Sequence, residues 1–510
     1  MSNRPRISLP VLPTGVPGLD LVLGGGLPEY SLNLISGPPG SGKTTLAHQI
    51  MFANASAERP GVYFTVLGEP PLKMLRYQQQ HGFFDPDKVG SVIQFVSLAQ
   101  VLLDRGLDGV LEEIVRHVNE SNPGMVVVDS FRTIVRALPR SASNDLDLQA
   151  FLERLSIYLT SWQTTTFLIA EYDESELRNN SLATMTDSIF WLTQSVHDNS
   201  VVRKVQVVKL RGQAPKPGLH TFRITADGLK VFPRVFSPEE AADRLPQGQR
   251  LSTGMPDLDA LMGGGIPVGN SLLVTGPPGT GKSVLGAQFI AEGARQGEVG
   301  VVVLFEQVHA KYLRWASNFG VDVEDMQRQG LVHVLPMQRV DLTADEAVQA
   351  VWQMVEQHKA KRVLIDSLTG LEVAVTMTQQ DELRQAMYRM IEGLAALGVT
   401  VVATMESIEE STNLLMATRL ISFLADNILI QRYVEIAGKF ERVLTVLKMR
   451  NSAHSTELRR YHITEQGLVI DQALEEYEGV STGVASYRGM GGNRAAGTPP
   501  GSGTPSREPE

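Results

Sequence analysis

Gly37-Pro38-Pro39-Gly40-Ser41-Gly42-Lys43-Thr44 follows the pattern G-x-x-x-x-G-K-[ST]. Its small glycines let backbone N–H groups turn inward around phosphate oxygens. Lys43 can set a point charge against the β- and γ-phosphates, and the hydroxyl of Thr44 suits Mg²⁺. Ser31 to Ile35, just upstream, has the apolar content of a short buried strand. Thr45 to Met51, just downstream, starts like a helix whose N-terminus faces an anion. A glycine-rich turn matching by chance would need neither flank. The pattern returns as Gly276-Pro277-Pro278-Gly279-Thr280-Gly281-Lys282-Ser283, again between an apolar run and a helical one. The nucleotide-binding residues are therefore expected to be Gly37, Gly40, Ser41, Gly42, Lys43, Thr44 and Thr45, with Gly276, Gly279, Thr280, Gly281, Lys282 and Ser283. ATP and Mg²⁺ are the ligands implied.

The whole chain repeats with these loops. Lys282 follows Lys43 by 239 residues, and the same interval separates Asp187 from Asp426 and Lys209 from Lys448. A constant offset over such distances marks tandem copies of one domain. In each copy, continuous apolar runs alternate with helical segments: Gly61 to Val66, Gly124 to Asp129 and Thr166 to Ala170, then Val301 to Phe305, Arg362 to Asp366 and Thr400 to Ala403. This predicts an α/β fold with two mostly parallel sheets, each covered by helices on both faces. Val201 to Leu210 and Arg442 to Met449 alternate and read as antiparallel additions. The expected domains are 1–245 and 246–478, joined by a linker from Phe236 to Gln249. A Gly-, Pro-, Ser- and Thr-rich tail over 479–510 should be disordered.

With 510 residues the chain can bury two large cores, and its composition is that of a globular protein. It has no cysteine, which excludes disulfides and thiolate metal sites and points to a reducing cytoplasm. No signal-peptide core or run of 18 apolar residues is present, so no membrane association is expected. A net charge of −10 speaks against a protein devoted to nucleic acid.

Asp129 and Asp366 each end an apolar strand, where a carboxylate of a parallel sheet faces the ligand crevice. They are the candidate metal residues, with Thr44 and Ser283; a solvated strand end is the alternative. Hydrolysis also needs a group to orient or deprotonate the attacking oxygen. Glu306 at the end of the neighbouring strand is the better candidate. Glu69 is its rough counterpart in the first half, displaced by one extra residue and followed by Pro70. Glu306, Glu69, Lys43 and Lys282 form the catalytic set. Lys209 and Arg211 are two apart on a strand and share a face, as do Lys448 and Arg450. Such a pair can neutralise γ-phosphate charge, or can be a solvated strand edge.

The opening Pro13-Thr-Gly-Val-Pro-Gly-Leu-Asp20, the turns Gly24-Gly-Gly-Leu-Pro28 and Gly263-Gly-Gly-Ile-Pro267, the twin loops, Tyr433-Val-Glu-Ile436 and Lys448-Met449-Arg450 together resemble the KaiC family. That is a family of two-domain RecA-like P-loop ATPases and autokinases known from the cyanobacterial clock, and the resemblance covers about residues 9 to 475. It implies a homohexameric double ring with ATP between subunits. It also implies slow hydrolysis mainly in the first domain and serine/threonine autophosphorylation in the second. Lys209, Leu210 and Arg211, and Lys448, Met449, Arg450, Ser452 and His454, would then reach the nucleotide of the adjacent subunit. KaiB-like or signalling proteins are the partners implied.

The chain departs from that family at two sites and in the composition of its tail. Glu306-Gln307 stands where the family has two glutamates, and Ser422-Phe423 stands where it has an adjacent Ser and Thr. Ser422 is thus the one candidate phosphorylation site, or else a packed serine. Three readings stay open: a KaiC-like ATPase with serine autokinase activity acting in timing or signalling, a KaiC-like ATPase scaffold without kinase output, and a RecA-type DNA motor. The last would want basic loops after the Asp129 and Asp366 strands, where Asn144 to Leu148 and Thr376 to Glu382 are acidic.

Overall fold

The computed structural model describes residues 9–66, 71–130, 142–173, 175–176, 181–197, 200–234, 248–338, 342–374, 380–406, 425–436, 438–450, 452–474, 477–478 and 486–487. They form two compact units, drawn mainly from the residues up to Phe236 and from Ser237 onward. The first contains β1 (Leu32–Ser36), β2 (Gly61–Thr65), β3 (Ile93–Ser97), β4 (Met125–Asp129), β5 (Thr165–Ala170), β6 (Ser188–His197), β7 (Ser200–Leu210), β8 (His220–Thr225) and β9 (Gly228–Phe232). They make one nine-stranded sheet in the order β9-β8-β7-β6-β1-β5-β4-β2-β3. Strands from β3 to β6 across the sheet are parallel, and β7, β8 and β9 add antiparallel.

The second unit repeats this plan. Its strands are β10 (Ser271–Gly276), β11 (Gly300–Leu304), β12 (Val332–Pro336), β13 (Arg362–Asp366), β14 (Thr400–Glu406), β15 (Asn427–Ile436), β16 (Lys439–Met449), β17 (Arg459–Thr464) and β18 (Gly467–Ala473). Their order, β18-β17-β16-β15-β10-β14-β13-β11-β12, is that of the first sheet strand for strand. The tandem α/β architecture expected from the repeat is the one observed. Ser486–Tyr487 pairs with Tyr477–Glu478.

The apolar runs explain the layering. In the first sheet Ile35, Tyr63, Val127 and Phe167 join one core cluster, which also holds Leu46 and Ile50 of the helix after the phosphate loop. Their neighbours Leu34, Val62, Val126 and Leu168 join another, with Val110 and Ile114 of the helix Ala99–Ser121. Alternate residues thus serve opposite faces, and both are buried, as a central parallel sheet requires. The opening motif has a local purpose. Asp20 accepts from the backbone N–H and hydroxyl of Thr14, at 2.9 and 2.6 Å. Asp259 does the same for Thr253, at 2.8 and 2.7 Å.

One polar feature of the second core is absent from the sequence reading. Arg362 is fully buried, paired with Glu298 at 2.7 Å, donating to the carbonyls of Ser252 and Phe289, and stacked 4.7 Å over the Phe289 ring.

Candidate functional site

The carboxyl ends of the parallel strands place both phosphate loops, Asp129 and Asp366 at one edge of their sheets, where open α/β sheets bind ligands. Gly42 and Gly281 adopt φ of 97° and 94° and open the helices Lys43–Asn54 and Lys282–Arg295. The first glycine of each loop allows close approach to the next strand. A Cβ on Gly37 would lie 2.2 Å from the Leu192 carbonyl oxygen, and one on Gly276 2.3 Å from that of Gln431. Gly40 and Gly279 share a left-handed φ; Ser41 and Thr280 are buried, and Thr45 lies in the first helical turn.

The two lysines are held alike. Lys43 donates to the carbonyls of Gly37 and Pro38 at 2.9 and 2.8 Å, and Lys282 to those of Gly276 and Pro277 at 2.8 and 2.9 Å. Burial lowers both ammonium groups from their ordinary range, against the pull of nearby carboxylates. Thr44 Oγ1 donates to Asp129 at 2.8 Å, and Ser283 Oγ to Asp366 at 3.1 Å. A hydroxyl that gives its proton to a carboxylate keeps lone pairs for a cation. Hydroxyl and carboxylate oxygens are hard donors, so this set fits Mg²⁺. Burial raises both aspartates above the usual carboxylate range, and their hydroxyl partners work against it.

In the second unit these residues border a cavity of about 290 Å³ whose wall includes Lys282, Ser283, Asp366, Glu306, Gln307 and Trp315. Glu306 accepts from the Ser367 hydroxyl at 2.5 Å, which fixes its carboxylate beside Asp366. Its counterpart Glu69 and the candidate phosphorylation site Ser422 lie outside the described residues.

The basic pairs stand elsewhere. Leu210 pairs with Ser188 at the start of β6, and β6 runs parallel to β1. Arg211 N donates to Asp187 O, and Asp187 N to Leu32 O, so Arg211 is level with the beginning of β1. Leu32 and Gly37 are five residues apart on a strand, roughly 16 Å. Arg211 pairs with Asp187 at 3.1 Å, and Lys209 donates to the carbonyls of Ala183 and Thr184. Burial and then Arg211 hold the Lys209 ammonium below its ordinary value. Arg450 and Asp426 repeat the ion pair at 3.3 Å, and Lys448 donates to Ala425 O at 2.8 Å. Leu210 and Met449 turn into their cores. Ser452 accepts from Arg250 of its own unit, and His454 keeps a buried Nε2 without a hydrogen-bond partner. A register shift precedes each pair and leaves Val208 and Leu447 unpaired and exposed.

A family model described as the KaiC ATPase matches residues 12–235 and again 251–475. The chain belongs to the KaiC family. The circadian clock oscillator protein KaiC of Picosynechococcus sp. is 30% identical over 498 residues, covering 92% of this chain and 91% of that protein. The KaiC of Rippkaea orientalis is 29% identical, with 92% and 90% covered, and the KaiC 1 of Synechocystis sp. is 28% identical, with 94% and 92% covered. The two sheets are thus KaiC-family P-loop ATPase domains, and no helix among the described residues is long and apolar enough to cross a membrane.

Four KaiC-domain residues beside the phosphate loops escaped the motif reading. Glu171, one residue past β5, lies 3.8 Å from Lys43, and Glu406 at the end of β14 is the strongest carboxylate influence on Lys282. Both stand 128 or 124 residues after their lysine, an offset that the motif itself does not contain. Tyr63 and Thr404 donate to Asp129 and Asp366, at 2.7 and 2.5 Å.

Proposed function

We propose that this KaiC-family ATPase works as a homohexameric double ring, one layer from residues 1–245 and one from 246–478, with each ATP held at a boundary between copies. The observation that carries this reading is the distance of Arg211 and Arg450 from the phosphate loops of their own sheets, repeated in both halves. A basic pair with no reach to its own nucleotide can serve that of the next copy, as an arginine finger supplied in trans does. Exposed apolar residues recur on the same strands at the 239-residue interval, Val201 with Phe440 and Val208 with Leu447. Exposed apolar positions matched in both halves, two of them next to the basic pairs, suit contact with a second copy.

In each site Lys43 or Lys282 would turn to the β- and γ-phosphates. Thr44 with Asp129, and Ser283 with Asp366, would hold Mg²⁺, which when bound neutralises charge on the phosphate oxygens. Glu306 would take the proton of the attacking oxygen. If that oxygen is the Ser422 hydroxyl, the new bond joins it to the γ-phosphorus, the bond to the bridging oxygen of ADP breaks, and the proton passes to Glu306. The family's clock role suggests timing or signalling in the cytoplasm, with KaiB-like proteins as partners and no role for nucleic acid or membrane. A scaffold that hydrolyses ATP without phosphorylating itself is favoured by one observation, Phe423 beside Ser422, which leaves no second acceptor there.

Size measurement with and without ATP–Mg²⁺ tests the assembly, since ATP bound only at a boundary stabilises the assembled form by mass action. A nucleotide-dependent hexamer is expected; a monomer at micromolar chain and millimolar ATP–Mg²⁺ overturns the reading. Phosphopeptide mapping of wild type and Ser422→Ala separates kinase from scaffold.

A further inference from the structure

We infer that Tyr63 and Thr404 are the positioning residues of the two metal-site carboxylates, and that the halves recruit them from opposite neighbouring strands. The inference rests on the reading of both loops as ATP–Mg²⁺ sites. In the first unit Oδ2 of Asp129 accepts two hydroxyls, Thr44 at 2.8 Å and Tyr63 at 2.7 Å. In the second, Oδ1 of Asp366 accepts Ser283 at 3.1 Å and Thr404 at 2.5 Å. A carboxylate oxygen offers about two lone-pair sites, so two donors saturate it. The other oxygen is then the one presented to a cation or its water, in a fixed orientation.

The second donor has a different origin in each half. Tyr63 comes from β2, on one side of the Asp129 strand. Thr404 comes from β14, on the other side of the Asp366 strand. The registers make the exchange explicit. Gly61 pairs with Met125 four residues before Asp129, as Gly300 pairs with Arg362 four before Asp366. The position of Tyr63 is therefore held by Val302 in the second half. Asp129 pairs with Ile169, the position that Thr404 holds. Val302 and Ile169 are fully buried and carry no hydroxyl. At these two equivalent positions each half thus has one buried hydroxyl and one aliphatic side chain, in opposite arrangement. Tyr63 is itself fixed from behind, its ring stacked on buried His48 with centroids 4.4 Å apart.

Two nearly isosteric changes remove only the hydroxyl: Tyr63→Phe and Thr404→Val. Losing an outer partner of a metal-holding carboxylate typically weakens metal binding about 10- to 100-fold. The experiment uses the full chain with Lys282→Ala to read the first site alone, and with Lys43→Ala to read the second. Retention of a fluorescent ATP analogue is followed against free Mg²⁺, and separately in EDTA. In the first background Tyr63→Phe should raise the Mg²⁺ midpoint about 10- to 100-fold while Thr404→Val leaves it in place. In the second background the two should exchange effects, with Thr404→Ser keeping the original midpoint. Retention in EDTA should be the same in all, which a collapsed site would not allow. Unchanged midpoints, or shifts of both variants in both backgrounds, overturn the inference. Absence of any Mg²⁺-dependent retention in the unsubstituted chain overturns the ATP–Mg²⁺ reading itself, and the inference with it.

Discussion

Glu306 is tied to Ser367 by a 2.5 Å hydrogen bond, and the same serine oxygen accepts from Gly370 N at 3.0 Å. Ser367, at the head of the helix Leu368–Ala374 that follows the Asp366 strand, therefore fixes the candidate base, which stands two residues past the end of β11. Glu306→Gln should cut turnover of the second half by about 10²- to 10⁴-fold with ATP binding kept, as expected for a general base. Gly370→Ala should act similarly at a distance, because its Cβ would stand 2.6 Å from Glu306 Cγ. Turnover and nucleotide binding measured side by side check both; lost binding in Glu306→Gln would assign this residue to holding the nucleotide instead.

Lys43→Ala and Lys282→Ala should each weaken nucleotide binding at one site by roughly 10- to 100-fold, the loss of a charge-assisted contact. On the division of labour that the family implies, the first should remove most hydrolysis and the second mainly phosphate transfer to protein. Equal loss of both activities in both variants contradicts that division.

Glu298 is the carboxylate that accompanies fully buried Arg362. Removing one partner leaves an uncompensated buried charge, so Glu298→Ala should destabilise the second half by about 3–5 kcal/mol. Denaturant unfolding of wild type and variant measures this. A change below about 1 kcal/mol would place Glu298 among exposed pairs of little weight.

Burial pushes the His48 imidazole down to about 3 from 6.5, with a small opposing effect of Gln78, although neither ring nitrogen reaches full hydrogen-bond geometry. Folded His48 stays neutral where the unfolded chain already binds a proton. Its contribution is complete above pH 6.5 and is lost as pH falls toward about 3. At about 1.4 kcal/mol per unit, the loss from pH 6.5 to 5 is roughly 2 kcal/mol. Unfolding of wild type and His48→Leu at both pH values should show a shallower decline in the variant. Parallel declines would contradict it.

The repeat and the phosphate loops were legible in the sequence because their information is local. A glycine pattern, an apolar run and a helix start occupy contiguous residues, and the strand Arg362–Asp366 is observed with the limits its composition predicts. Strand ends were less so. The run read as Thr400 to Ala403 continues to Glu406, because pairing with β10 carries it past its last aliphatic residue. Tyr63 and Thr404 were hidden for a different reason. Each meets its aspartate only through strand order, and the exchange of sides leaves no shared letter for the repeat to expose. The basic pairs gave their positions through the 239-residue interval, but their distance from their own loops follows only from the direction of β7 and β16.

Mixing two inactive chains tests the shared site most directly. One carries Lys43→Ala and Lys282→Ala, which spoils its loops and leaves its basic pairs. The other carries Arg211→Ala and Arg450→Ala, which leaves its loops and spoils the pairs. If each nucleotide is completed by the neighbouring copy, co-assembled chains should recover ATP turnover that neither has alone. Mixed assemblies as inactive as their parents would contradict a site shared between copies.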